Sequence, residues 1–370
     1  MSRDGGPVAA ATRRALEPRR EEMVDLLRTF VEVESPSDDV AALSQMAQLL
    51  QERFVDYGTI EQHGTHRLLR VDGEDRAARP ALVLCHYDTV WPLGTLATIP
   101  FSVDGEGVAR GPGCFDMKGG MVLLWYALEQ LRKQGLAPRR PVVVLFTSDE
   151  EVGSPSSRGL IEEQARQAEL VFVLESPLPG GTLKTARKGT GDYHLRIEGR
   201  AAHAGVEPQK GISATQELAH QILALQALNA FEAGTTVNVG VVRGGTRPNV
   251  VAAAASADVD VRVATLAEAE RLDRAVRALT PRLPGAVLHI EGGLNRPPME
   301  RSPAMVGMFE RAQSIAAAMG VAELREGSTG GGSDGNFTAA LGVPTLDGLG
   351  PEGEGAHAAH EHVLVESLPR

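Results

Sequence analysis

His86 and Asp88 close a short apolar run in the stretch ALVLCHYDTVW, residues 81–91. Bounded by Pro80 and Pro92, the run 81–85 is too short for a helix and reads as a buried strand. A period of two puts His86 and Asp88 on one side of that strand, with Cys85 and Tyr87 on the other. Open α/β sheets bind ligands just past the carboxyl ends of their strands, and an imidazole beside a carboxylate there suits a metal. Taken alone, the pair reads equally well as a core histidine followed by a turn-capping aspartate. The pattern repeats along the chain. Asp116 ends the glycine-rich turn 111–116, Ser148-Asp149-Glu150-Glu151 follows the apolar run 142–146, Glu175 follows 170–174, and His357 sits in Gly355-Ala356-His357. Singly, Glu150-Glu151 is a solvated charge pair and Asp116 a helix cap. Jointly, two imidazoles and four or five carboxylates at one sheet edge would repel strongly. A pair of divalent cations would neutralise them, and this donor chemistry suits Zn²⁺, with Co²⁺ or Mn²⁺ as alternatives.

The elements needed to hold these groups are legible around them. Residues 1–18 read as a ragged arm, followed by helices from about Pro18 and over 39–57. Strands are expected at 68–71, 81–85, 142–146 and 170–174, with helices at 118–134 and 158–167 between them. Such alternation means an α/β fold with a mostly parallel sheet and helices on both faces. After Gly189 the pattern changes. Tyr193, Leu195 and Ile197 alternate with polar residues, as do Val237, Val239 and Val241, and Val259, Val261 and Val263. With helices over 212–230 and 268–279 and a last strand at 287–290, the order is β-α-β-β-α-β, the ferredoxin-like arrangement. This predicts an inserted domain at 190–297, with a first domain split into 1–189 and 298–370.

Composition narrows the function classes. With 370 residues, 42% hydrophobic and 23% charged, the chain is a soluble globular protein. A formal net charge of −11 argues against nucleic acid or an anionic membrane as partner. Cys85 and Cys114 make no disulfide framework, and the charged N-terminal stretch is no secretory signal, so a cytoplasmic location is expected.

The motifs HYDTV (86–90), GPGCFDMKGG (111–120), TSDEEVGS (147–154), LES (174–176), GRAAHAG (199–205), TGGGSDG (329–335) and GAH (355–357) occur in this order. The chain thereby resembles the M20 metallopeptidases, and within them the glutamate carboxypeptidase (carboxypeptidase G2-like) branch. The resemblance implies a two-zinc exopeptidase domain with an inserted lid domain through which such enzymes form homodimers. It implies that Asp116 bridges two metals, one completed by His86 and Glu175, the other by Glu151 and His357. Glu150 becomes the general base and later proton donor, and Asp88 the carboxylate that orients His86 through its other ring nitrogen. It also implies a cis peptide after Asp116, and a role for His203 in reaching across the dimer to the tetrahedral oxyanion. Arg296 and Asn249 would hold a substrate carboxylate, helped by the backbone of Thr329, Gly330, Gly331 and Gly332; Arg262 and Lys184 are weaker candidates. His360 and His362 read as exposed bystanders.

The expected activity is hydrolysis of a peptide or N-acyl amide bond, releasing a C-terminal amino acid such as glutamate. An aminoacylase or desuccinylase acting on N-acyl amino acids is the alternative within the fold. A non-catalytic binding protein on the same fold would have lost a ligand, and none of the six key positions is lost.

Overall fold

The computed structural model describes residues 5–321 and 323–370. Two compact units emerge, one made of Arg187–Glu300 with Gly330–Gly332 and the other of the remaining described residues.

The first unit is built on an eight-stranded sheet. Its middle strands Val142–Thr147, Ala81–His86, Leu170–Val173 and Thr345–Asp347 are adjacent and parallel. Antiparallel strands flank them, the pair Thr59–His63 and His66–Val71 on one side and Leu183–Arg187 on the other, with Glu326–Thr329 at the outer edge. Strand Ala81–His86 is buried along its whole length. Val83 and Cys85 face a core shared with Phe30, Met46 and Met121 from helices Arg20–Val31, Val40–Phe54 and Gly119–Lys133. Leu82 and Leu84 face a second core with Ile161 and Ala165 of helix Arg158–Gln167 and Phe337 of helix Gly335–Ala340. Burial on both faces is why the strand reads as an unbroken apolar run rather than an alternation.

The second unit is a four-stranded antiparallel sheet in the order Thr236–Gly244, Ala254–Val263, Gly189–Glu198, Val287–Arg296. Helices Ala214–Gln226 and Leu266–Arg277 supply Leu218, Leu225, Leu272 and Val276 to its cores, against Tyr193, Leu195, Ile197, Val259 and Val261. Strand and helix order together make the ferredoxin-like arrangement that the alternation implied.

Several expectations need correction. Gly5–Leu16 is a helix rather than a ragged arm, and residues 1–4 lie outside the described residues. Its alanines are strong helix formers, Pro7 sits in the first turn where no N–H is needed, and Arg13 donates from Nη1 to the Met319 carbonyl at 2.6 Å. A bulge between Val239 and Val241 breaks the expected alternation, so Val237 is buried while Val241 is 41% exposed. The last strand of the second unit runs on to Arg296, through Gly292 at φ +94°. A small sheet of Gly353–Glu354, His362–Leu364, Val108–Arg110 and Ser102–Val103 was not foreseen at all.

Because Leu84 is 1% exposed at the centre of the sheet, Leu84→Ala is expected to destabilise the first unit by about 2–5 kcal/mol. Urea unfolding followed by circular dichroism measures this. A loss below about 1 kcal/mol would show that the core around Phe337 and Ile161 does not anchor the strand.

Candidate metal centre

Three neighbouring parallel strands deliver the first groups. In register, His86 stands opposite Thr147, and the Tyr87 N–H donates to the Thr147 carbonyl at 3.0 Å. The strand carrying Thr147 leads into Glu150 and Glu151, and the strand Leu170–Val173 leads into Glu175. Asp116 precedes helix Gly119–Lys133, and His357 lies between the short strands Gly353–Glu354 and His362–Leu364.

Side chains from these five places converge. His86 Nε2 lies 3.1 Å from Asp116 Oδ1 and 3.2 Å from Glu175 Oε1. His357 Nε2 lies 3.3 Å from Asp116 Oδ2 and 3.1 Å from Glu151 Oε2. The groups therefore form two sets that share Asp116, one oxygen turned to each imidazole. Donor atoms of His86, Asp116 and Glu151 fall within 4.8 Å of one another, as do those of His86, Glu150 and Glu175. The Asp116–Met117 peptide is cis.

Asp88 is fully buried, and its backbone and side chain act differently. The nearest acceptor to His86 Nδ1 is the Asp88 carbonyl at 3.1 Å, with carboxylate Oδ1 farther off at 3.5 Å. The carboxylate instead accepts the N–H groups of Glu150 at 3.2 Å and Glu151 at 3.1 Å, and the Ser37 hydroxyl at 2.7 Å. Asp88 thus fixes the turn bearing both glutamates as well as standing beside the histidine.

The donor set fits divalent cations. A carbonyl only accepts, so Nδ1 of His86 carries the ring proton and Nε2 turns a lone pair toward two carboxylate oxygens. Such an approach needs a proton or a cation between the groups. Burial opposes charging of His86, but Asp116, Asp88 and Glu175 outweigh it and hold its pKa well above 6.5. Asp116 and then Glu151 raise His357 to about 10. Burial would push Asp116 up, yet His357 and His86 hold it well below the carboxylate range. Burial dominates at Glu151 and raises it. Its Oε1 is buried without a hydrogen-bond partner among the described residues, an arrangement that a bound cation would relieve.

Glu361 is a residue the sequence reading passed over. Buried to 2% exposure, its carboxylate accepts N–H groups from the turn that ends in Asp116. Lys118, equally buried, donates from Nζ to the Val33 carbonyl at 2.8 Å, and burial pushes its pKa down to about 7. The neighbours of His357 differ from each other: His360 is exposed, but His362 is half-buried on a strand.

Most of the remaining candidates lie in the second unit. His203 is exposed and accepts the Gly205 N–H on Nδ1 at 3.2 Å; Asn249, also exposed, is held beside it by an Ala204 N–H bond to the Asn249 carbonyl at 3.0 Å. Arg296 is 4% exposed and packs so tightly on Gly332 that a Cβ there would fall 2.7 Å from Arg296 Cδ. Arg187 donates from Nη1 to the carbonyls of Gly331 at 3.2 Å and Gly332 at 3.0 Å, fixing the glycine loop. Arg262 is engaged by Asp260 at 2.6 Å. Thr329 ends a strand of the first unit, where Lys184 is also buried.

Known proteins resemble this chain over most of its length. The model for Peptidase family M20/M25/M40 matches residues 82–370. Carboxypeptidase G2 of Pseudomonas sp. (strain RS-16) is 28% identical, over 94% of this chain and 86% of its own. Succinyl-diaminopimelate desuccinylase of Delftia acidovorans is 28% identical, over 79% of each chain. Among solved structures, the aminopeptidase PepT of Bacillus cereus superposes with a TM-score of 0.77 at 23% identity, covering 94% of this chain and 95% of its own. The chain therefore belongs to Peptidase family M20/M25/M40 and is a hydrolase of the M20 metallopeptidase and amidohydrolase class.

Proposed function

We propose that this enzyme uses two divalent cations, Zn²⁺ by preference, to cleave a peptide or N-acyl amide bond and release an amino acid with a free α-carboxylate. The observation that carries the reading is Asp116, whose two oxygens each face the imidazole of a different ligand set, at 3.1 and 3.3 Å. His86 and Glu175 would complete one set and Glu151 and His357 the other. When bound, the cations would polarise the scissile carbonyl and acidify water.

The chain's own residues do the rest. Glu150 takes the proton of the attacking water and returns it to the leaving nitrogen. For this it must stay clear of the ligand role of its neighbour Glu151, and Asp88 fixes both of their amides. The Asp88 carbonyl holds the tautomer of His86. Arg296, Asn249, Thr329 and the amides of Gly331 and Gly332 hold the substrate carboxylate. His203 of a second copy, supplied through a homodimer of lid domains, donates to the tetrahedral oxyanion. The lid is residues 190–297. Two buried, free cysteines suit a reducing cytoplasm.

Similarity to carboxypeptidase G2 over most of the chain favours a glutamate-releasing carboxypeptidase. The desuccinylase relative supports a second reading, an N-acyl-amino-acid amidohydrolase. A hydrolysis screen separates them. Release of glutamate from C-terminal glutamyl dipeptides or aroyl-glutamates is expected. Activity confined to N-acetyl or N-succinyl amino acids would favour the second.

Glu150→Gln is expected to lower kcat by about 10²–10⁴-fold, with the metal content by elemental analysis unchanged. Activity within tenfold of the parent enzyme would remove Glu150 from the proton-transfer role.

Chelation should abolish activity and expose the electrostatics of the cluster. His86 and His357 have raised pKa values, so their contribution to stability is complete below 6.5 and is lost as pH climbs through the raised values, about 10 for His357. The raised pKa of Glu151 acts in the same direction. The Tm of chelated protein should therefore fall across that window, and added Zn²⁺ should flatten the fall. A pH-independent Tm after chelation would contradict the charge assignment.

A further inference from the structure

Glu361 receives four hydrogen bonds, and all come from N–H groups. Oε1 accepts from the backbone of Phe115 at 2.9 Å and Asp116 at 3.0 Å. Oε2 accepts from the backbone of Gly113 at 2.9 Å and from the Trp91 indole at 2.8 Å. Three amides of a single turn thus converge on one anion, as in a backbone nest, and the acceptor capacity of the carboxylate is filled. The turn is tight: Gly113 has φ +71°, and a Cβ there would fall 2.5 Å from Thr89 Cγ2.

The other end of the connection leads to the second imidazole. Glu361 follows His357 by four residues, and the segment between them is closed by Ala358 N–H to the Gly355 carbonyl at 2.9 Å and Glu361 N–H to the Ala358 carbonyl at 2.8 Å. Just beyond, strand His362–Leu364 pairs with Val108–Arg110, which feeds the Asp116 turn. The loops carrying Asp116 and His357 are therefore braced twice, once by strand pairing and once by the Glu361 carboxylate.

We propose that Glu361 is the positioning residue of the metal centre: its buried carboxylate locks the Gly113–Asp116 turn to the His357 loop, so that the bridging aspartate and the second imidazole stand in ligand geometry before any cation arrives. This rests on the two-cation reading above. Glu361 acts through the turn, since the groups on its carboxylate are the N–H donors of Trp91, Gly113, Phe115 and Asp116. A buried carboxylate is costly to keep charged, and burial does push this one's pKa up. What it supplies in return is acceptance of four donors that would otherwise be buried unmet. Glutamine has the same shape but fails in either orientation, because its amino group would face two N–H groups with none of its own lone pairs to offer.

The test measures cation binding, not turnover. Full-length parent protein and the variants Glu361→Gln, Trp91→Phe and Glu150→Gln are stripped with a chelator and checked by circular dichroism and thermal unfolding. Each is then titrated with Co²⁺, followed by its visible absorption, and with Zn²⁺ against a chromophoric chelator. Folded Glu361→Gln should bind about 10–100-fold more weakly, with an altered Co²⁺ spectrum. Trp91→Phe, which removes one donor of four, should weaken binding by a smaller factor with the same spectral trend. Glu150→Gln should bind as the parent does. Parent affinity and spectrum in folded Glu361→Gln would overturn the proposal while leaving the two-cation reading intact. If Glu361→Gln does not fold, parent affinity and spectrum in Trp91→Phe overturn it instead. Failure of the parent protein to bind either cation would defeat the two-cation reading itself.

Discussion

The governing constraint is like charge brought together out of water. Asp116 joins Glu150, Glu151 and Glu175 in a small volume beside the ends of parallel strands, with the imidazoles of His86 and His357 among them. In that environment carboxylates repel and none is well solvated. Positive charge must be supplied, by protons on His86 and His357 or by cations. The surrounding structure can be understood as what is needed to hold that arrangement against its own repulsion: a sheet buried on both faces, a nest for Glu361, and an aspartate that clamps the Glu150–Glu151 turn.

The parallel sheet explains why the groups arrive together. Neighbouring parallel strands end on the same edge, so Ala81–His86, Val142–Thr147 and Leu170–Val173 each release a chemically active residue at nearly the same level. No long loop has to fold back to reach the centre. Asp116 and His357 come instead from loops of a separate small sheet, and that is where a brace such as Glu361 has most to do.

How much was legible follows from the kind of signal each residue carries. His86 and Glu175 stand immediately after apolar runs, Glu150 and Glu151 a few residues after one, and Asp116 and His357 within glycine-rich turns, so type and position announce them together. Glu361 does not: its partners are backbone amides, which have no residue-specific signature, and two flanking histidines draw attention away from it. The small sheet was missed because strands of two or three residues are too short to show a period. Helix Gly5–Leu16 was missed for the opposite reason, since alanine favours helix without marking a buried face. The bulge at Val239–Val241 shows a third case, in which the alternation is present in the letters but one extra residue turns the valines outward.

One asymmetry in the centre gives it a direction. His86 is 2% exposed and Glu175 8%, whereas the His357 side chain is 51% exposed on a loop where it takes φ +64°, a conformation uncommon for any residue but glycine. The set around His86 is walled by the sheet, and the set around His357 opens to solvent. The site thus has an inner histidine enclosed by the sheet and an outer one in contact with solvent. Solvent therefore screens the charge of the outer imidazole, while the inner one depends on its protein neighbours alone.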